Sequence, residues 1–194
     1  MSLIDLHWQN FLEDDNDAFS FIYKQYVNEL YVYGLSLGFS SDICMDAIQD
    51  VFYKLYITKD KLKNILHPKT YLFRAFKNRV FDIQKHNRKT DVQEITDNVF
   101  SIQVTVLDSI VDEEERILLK NRIENLMLSL SDRQREAIYL RYMQDLDYED
   151  IAQVLGLQVD SVRKLVYRGL ESIRKNISAN SISLALLLNT YFFS

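Results

Sequence analysis

Four glycines and one proline are all the turn-forming punctuation in 194 residues. Strand-and-turn architectures use both far more often, so this scarcity favours an all-helical chain. Hydrophobic residues make up 47%, enough to bury real cores and too many for a disordered acidic polymer. The length suits one average domain or two small ones. The single cysteine, Cys44, has no partner within the chain and reads as a small buried hydrophobe in a reducing compartment. The opening "MSLIDLHWQNFLEDDND" lacks the basic start and apolar run of a secretory signal. The apolar stretch 182–193 falls short of the ~20 residues that a membrane span needs. A cytoplasmic protein without membrane insertion is expected.

Helical spacing begins near Asp17, where Phe19, Ile22, Tyr23, Tyr26, Leu30 and Tyr33 recur at three- and four-residue steps. "GLSLGFSS" breaks the pattern. Ser40 or Ser41 then caps a helix over 42–56 whose inward positions are Ile43, Ala47, Ile48, Val51, Phe52 and Leu55. Asp46, Gln49, Asp50 and Tyr53 fall together on its other side. After a basic loop ending at Pro68, a third helix is predicted over 69–87, with Leu72, Ala75, Phe76, Val80 and Ile83 inward. Periodicity fades from Lys89 to Ile110. A helix over 112–128 follows, and then "LSLSDRQREAIYLRY", in which Ser131 and Gln134 fit a capping box and Ala137, Ile138, Leu140 and Tyr142 supply buried positions. Asp147 caps a helix over 148–155, Gly156 permits a left-handed turn, and a last helix runs over 160–175. Its core face is Val162, Leu165, Val166, Leu170 and Ile173. The fold class is therefore all-α: two small helical domains, 1–90 and 112–178, joined by an acidic linker, 91–111, and followed by an apolar tail, 179–194. The C-terminal domain contains a helix-turn-helix.

The net charge of −5 argues against nucleic acid until it is counted by segment. Residues 1–60 carry −7, 61–90 carry +8, 91–116 carry −7 and 117–194 carry +1. The acids are concentrated away from two basic surfaces, so nucleic-acid binding stays open.

The first basic surface is the last helix. A short helix, a glycine turn and a basic second helix form the arrangement that lays the second helix in a DNA major groove. Arg163, Lys164, Tyr167 and Arg168 lie opposite the apolar positions there. Arg pairs bidentately with guanine O6 and N7, while Lys reaches phosphates. The second surface is 61–89, where basic residues interleave with Tyr71, Phe73, Phe76 and Phe81. Basic side chains track a phosphate backbone and exposed aromatics stack on unpaired bases. Phe76 matches the inward face, which leaves Tyr71 as the better stacking candidate. The patch Asp46, Gln49 and Asp50, beside Phe52 and Tyr53, reads as a solvated face or a partner interface. Nothing favours catalysis. His7, His67 and His86 are scattered, no Cys pair or metal-ligand spacing occurs, and there is no phosphate loop or nucleophile elbow. No enzyme, no cofactor and no metal are expected.

The order of these elements resembles the sigma-70 family, most closely its small two-domain extracytoplasmic-function (ECF) class. "DAIQDVFYKLY" resembles the segment that docks on the polymerase clamp helices. "HPKTYLFRAFKNRVFDIQKHNRK" is similar to the promoter-melting, −10-reading segment. The stretch "LSLSDRQREAIYLRYMQDLDYEDIAQVLGLQVDSVRKLVYRGLESIRK" resembles the −35-reading domain. The form "LHPKTYLFRAFKN" and the apolar tail resemble the expanded sigma set of Bacteroidetes-type bacteria. The resemblance implies a region 2-like first domain and a region 4-like second one. It assigns Asp46, Gln49, Asp50 and Phe52 to core RNA polymerase. It assigns the loop from Lys63 to Lys69, with Asn64 and His67, to a flipped −10 base. Tyr71, Arg74, Asn78, Arg79, Lys85 and Arg88 would follow the melted strand or its upstream duplex. Arg163, Lys164, Tyr167 and Arg168 would enter the −35 groove, with Arg141 on phosphate. Two departures stand out. Gln158 replaces the usual capping Ser or Thr, so the cap is expected to shift to Asp160, and Leu165 replaces a common basic residue.

The implied partners are core polymerase, promoter DNA both duplex and melted, and an anti-sigma factor. Linker length agrees: about 20 residues reach ~70 Å at ~3.3–3.6 Å each, close to two DNA turns at ~34–36 Å per turn. The runner-up is a stand-alone helix-turn-helix regulator whose first half senses a signal or dimerises. An interaction-only protein is a third reading, and the basic recognition helix counts against it.

Overall fold

The computed structural model describes residues 3–90, 100–101 and 125–178. The regular elements among them are helical, and the chain divides into two compact units, Met1–Val99 and Phe100–Ser194.

The first unit contains α1 (Leu3–Leu12), α2 (Asn16–Ser36), α3 (Ser41–Ile57), a 3-10 turn (Lys59–Leu62) and α4 (Pro68–Thr90). Helix α2 starts where Asp15 accepts from the backbone N–H groups of Asp17 (2.8 Å) and Ala18 (3.1 Å), satisfying two donors that the helix leaves open. Ser40 caps α3 through the N–H of Ile43, at 3.4 Å. Pro68 is the first residue of α4, a position where its missing N–H costs nothing. The buried faces of α2 (Ile22, Leu30, Tyr33), α3 (Ile48, Phe52, Leu55) and α4 (Leu72, Phe73, Phe76, Val80) close on one another. Gly34 marks a close approach among them. A Cβ there would lie 2.5 Å from Cys44 Sγ and 2.7 Å from Phe76 Cζ. Cys44 is fully buried, and burial pushes its thiol up to about 11, so it packs as a hydrophobe.

Helix α1 has no counterpart in the sequence analysis, which starts its first helix near Asp17. Only Trp8 and Phe11 of α1 are buried, and Leu3 and Leu6 are exposed, so its stripe is too narrow to read as an amphipathic period. Tertiary contact decides it. The Trp8 and Phe11 rings stand 5.8 Å apart, and Phe11 continues to Phe19 at 5.5 Å.

In the second unit, residues 125–128 are helical, α5 (Asp132–Ile138) runs directly into a π turn (Tyr139–Met143), and α6 (Tyr148–Leu155) and α7 (Val159–Ser178) follow. The Ser131–Gln134 capping box is present in both directions. Asp147 caps α6 through the N–H of Asp150 at 2.7 Å, and Gly156 ends α6 at φ 64°, ψ 38°. That left-handed corner is where glycine carries no Cβ penalty. The π turn alters the expected register. One extra residue in the turn brings Tyr139 inward beside Leu140, and Tyr142, expected inside, is left half-buried. Tyr139's hydroxyl accepts from Gln144 Nε2 at 3.0 Å. Phe100, within the stretch read as linker, is 2% exposed, sets its ring edge-on to Tyr139 and donates its N–H to Asp132 at 3.1 Å. The rest of the expected linker and of the helix over 112–128, together with the tail 179–194, lie outside the described residues.

Candidate nucleic-acid interface

Helix α7 seats Val162, Val166 and Ile173 against α5 and α6. Gly169 allows the approach, since a Cβ there would meet Ile138 Cδ1 at 2.7 Å. Leu165 and Leu170, expected in the core, are half-buried at its margins. The opposite side of α7 presents Arg163, Lys164, Tyr167 and Arg168, all exposed, with Tyr167 at 71%. These four residues sit on adjoining turns, as the spacing predicts.

They are not equivalent. Arg163 is held within its own unit. Its Nη2 lies 3.3 Å from Glu149, its Nη1 3.5 Å from Asp160, and its guanidinium 5.7 Å from the centre of the Tyr148 ring. Among the described residues the ion pairs of α7 include those of Arg163 and Lys175, and none involves Lys164 or Arg168. Arg141, expected on phosphate, also turns inward. It is half-buried, donates to the Leu146 carbonyl at 2.9 Å and stands 5.3 Å from the Tyr148 ring. Tyr148 thus lies against two guanidiniums, an arrangement that braces α6 against its neighbours. The expected cap shift does not occur. Helix α7 begins at Val159, with the Gln158 carbonyl accepting from Ser161 (2.9 Å) and Val162 (3.1 Å). Asp160 is inside the first turn, where its carboxylate suits the helix dipole and pairs with Arg163.

The second basic surface belongs to α4. Arg74, Asn78, Arg79 and Lys85 are exposed along it. Arg88 is on the same helix, but its side chain lies outside the described residues. The aromatics behave differently from the expectation of a stacking row. Phe73 and Phe76 are fully buried, and Phe81, at 41% exposure, is edge-on to Phe39. Tyr71 is half-buried with its ring 6.3 Å from that of Trp8, and desolvation raises its hydroxyl's pKa. It is therefore not the free stacking platform that the sequence suggests, because the unforeseen α1 covers one side of it. Lys69 is half-buried as well, 3.0 Å from Glu29 and over the Phe73 ring.

Before α4, the loop displays Lys63, Asn64 and His67, all exposed. At its tip Leu66 is 83% exposed, which sequence reasoning passed over because an apolar residue reads as core by default. Buried Leu62 and Pro68 pin the loop at either end.

On α3, Asp46 and Gln49 are exposed and Asp50 half-buried. Phe52 is a correction: it is 3% exposed and packs edge-on against Tyr23 (4.9 Å), so it offers no surface to a partner. The exposed aromatic beside the polar patch is Tyr53, at 67%, followed one turn later by Ile57 at 57%. An open hollow of about 650 Å³ lies between α3 and α4. It is lined by Asp50, Tyr53 and Ile57 on one side and Tyr71, Arg74, Asn78 and Arg79 on the other. Across it Asp50 Oδ2 accepts from Arg79 Nε at 2.7 Å and Nη2 at 2.6 Å. Sequence reasoning gave these two residues to different ligands, and the fold pairs them.

Among the described residues no group of three His, Cys, Asp or Glu stands close enough to hold a metal, and no helix is long and apolar enough to cross a membrane.

Comparison with known proteins agrees with this arrangement. A family model described as sigma-70, region 4 matches residues 120–173. The chain is 26% identical over 170 residues to the ECF RNA polymerase sigma factor SigW of Bacillus subtilis, covering 84% of this chain and 90% of that one. It is 26% identical over 172 residues to the ECF RNA polymerase sigma-E factor of Haemophilus influenzae, covering 85% and 90%. A co-crystal structure of the sigma factor RpoE with the anti-sigma factor NepR, from Bartonella quintana, matches with a TM-score of 0.59 at 21% identity, over 84% of this chain and 98% of that one.

Proposed function

We infer that this chain, a member of the sigma-70 family in its ECF group, is a transcription initiation factor that binds core RNA polymerase, directs it to promoters and assists their melting. The observation that carries this reading is the uncovered face of α7, with Lys164, Tyr167 and Arg168 exposed behind the left-handed corner at Gly156. A rigid helix of this kind enters a major groove without reordering itself.

The contacts assigned along the chain are our proposal. Lys164, Tyr167 and Arg168 meet the −35 duplex, and Arg163 joins them by giving up Glu149 and Asp160. Arg141 supports this surface from within and reaches phosphate only by leaving Leu146. The loop with Lys63, Asn64 and His67 takes the unpaired −10 base, and Lys69 secures its far end. Arg74, Asn78, Arg79, Lys85 and Arg88 follow the strand along α4, with Tyr71 at the rim of the hollow. Asp46, Gln49 and Asp50, with Tyr53 in the place first given to Phe52, form the polymerase contact. Residues 1–90 act as the region 2-like domain, 91–111 as the linker and 112–178 as the region 4-like domain. Such a factor works in the cytoplasm beside polymerase, has no catalytic step of its own, and is held in check by an anti-sigma factor.

Run-off transcription with core polymerase from a related bacterium tests the reading. A promoter-dependent transcript that requires the chain is expected. No transcript from any upstream library, with tight operator binding by the protein alone, would return the reading to a stand-alone regulator.

A further inference from the structure

Helix α1 takes no part in the contacts assigned above, yet it touches both ends of the exposed loop over 58–67. At the start of the loop, the Lys59 ammonium pairs with the carboxylate of Asp14, in the corner between α1 and α2. Helix α1 also packs on the 3-10 turn that Lys59 opens. At the far end, Tyr71 in the first turns of α4 stands 6.3 Å from Trp8 of α1. Trp8 is recessed at 1% exposure, whereas the ion pair is open on one side, with the Lys59 side chain 21% and the Asp14 side chain 78% exposed. The segment between them presents Lys63, Asn64, Leu66 and His67.

The corner residue is itself unusual. Asp14 has φ 77°, the left-handed region, where Asp is tolerated better than most residues but Gly fits without a Cβ penalty. A corner selected for folding alone is best served by glycine. What glycine lacks is the carboxylate that reaches Lys59. A carboxylate at a corner that glycine would fit without penalty, paired with Lys59 beside an exposed loop, points to a job for the side chain.

We propose that α1 is a clip that sets the shape of the loop, with Asp14 and Trp8 as positioning residues for recognition of the unpaired −10 base. This rests on the assignment of the loop to that base. Recognition of an unpaired base depends on hydrogen-bonding groups being held in place, because each group that must be ordered on binding subtracts from the affinity. Fixing the loop from both ends removes that cost in advance, and does so without α1 touching DNA.

The test uses the full chain with Asp14→Gly, Asp14→Asn, Lys59→Met and the Asp14→Gly/Lys59→Met pair. Asp14→Gly removes the carboxylate and the strain together, so stability and function should part. Its thermal midpoint is expected to equal or exceed that of the starting chain. Amide hydrogen exchange over 58–67 is expected to quicken about two- to fivefold, the range that an exposed ion pair supports. The transcript ratio between a cognate and a substituted −10 base should fall by a similar factor, with core and −35 duplex affinities unchanged. Asp14→Asn and Lys59→Met should give the same loss, and the double variant no more than either single one. Unchanged exchange over 58–67 would overturn the clip, as would faster exchange with an unaltered −10 ratio, or losses that add in the double variant. Exchange is measured without polymerase or promoter. An unchanged chain that makes no promoter-dependent transcript therefore sinks the −10 assignment, and the clip is then decided by exchange alone.

Discussion

Helices α4 and α7 each carry an exposed basic face, and they are built in opposite ways. Helix α7 keeps apolar residues inward and leaves Lys164, Tyr167 and Arg168 uncovered, so this face exists before any ligand arrives. Helix α4 buries its phenylalanines, has Tyr71 covered on one side by α1, and ties Arg79 to Asp50. A duplex offers a regular, rigid groove, and a preformed helix suffices for it. An unpaired strand has no fixed shape, so a site for one, which we propose α4 to provide, needs parts that are held until needed. Charge counted along the sequence treats the two helices alike. The fold distinguishes them by where their aromatics go, and within each helix it separates a paired arginine, Arg79 on α4 and Arg163 on α7, from its exposed neighbours.

The comparison is tested most severely at the core under α4. Phe76→Ala should cost the first unit about 3–5 kcal/mol in denaturant unfolding, while −35 duplex affinity stays within about twofold of the starting chain, too small a change for any lost base contact. A larger drop in duplex affinity would show that the two faces do not work separately.

The next effect separates the two arginines of α7. Arg168→Ala should weaken −35 duplex binding by about 1–3 kcal/mol, roughly five- to 150-fold, as for a lost base contact. Arg163→Ala should cost less, because Arg163 must first leave Glu149 and Asp160. Titration by fluorescence anisotropy at fixed salt distinguishes them. Equal losses would mean that the Arg163 contacts do not compete with DNA, and loss of core-polymerase binding in either variant would undo the division of labour.

A smaller change concerns the caps that orient α5 beneath α7. Ser131→Ala removes the capping box and should cost the second unit about 1 kcal/mol in thermal unfolding. A loss in the first unit instead would blur the distinction between the two faces.

The smallest effect is at the ion pair itself. Asp50→Asn should alter stability by at most about 1 kcal/mol, since the pair is half exposed. Freed of its partner, Arg79 should raise affinity for single-stranded DNA a few-fold at low salt and steepen the salt dependence. Unchanged strand binding would show that Arg79 is as available paired as unpaired, and the pairing would then carry no part of the comparison.

The helices from Asn16 to Thr90 were legible because their stripes are wide and their caps are local. Ser40, Ser131 and Asp147 cap through hydrogen bonds to residues three positions on, and such bonds leave a pattern in the sequence. Gly156 was legible for the same reason: one residue's backbone preference is written in its identity. Helix α1 was not, because two buried aromatics in ten residues make no period. Phe52 and Tyr53 show the same limit at a candidate site. They are neighbours in sequence with opposite fates, and a family resemblance selected the one that the core takes.

The sequence by itself determined the all-α class, the caps at Ser40, Ser131 and Asp147, the left-handed corner and the two basic segments, since each depends on residues close along the chain. Only the tertiary structure decided which of those residues remain available. The Asp50–Arg79 pair joins positions 29 apart, the π turn moves Tyr139 inward and leaves Tyr142 half-buried, and α1 covers one side of Tyr71. Partners brought together from distant parts of the chain leave no periodic trace, because their contact is fixed by how helices pack and not by spacing along any one of them.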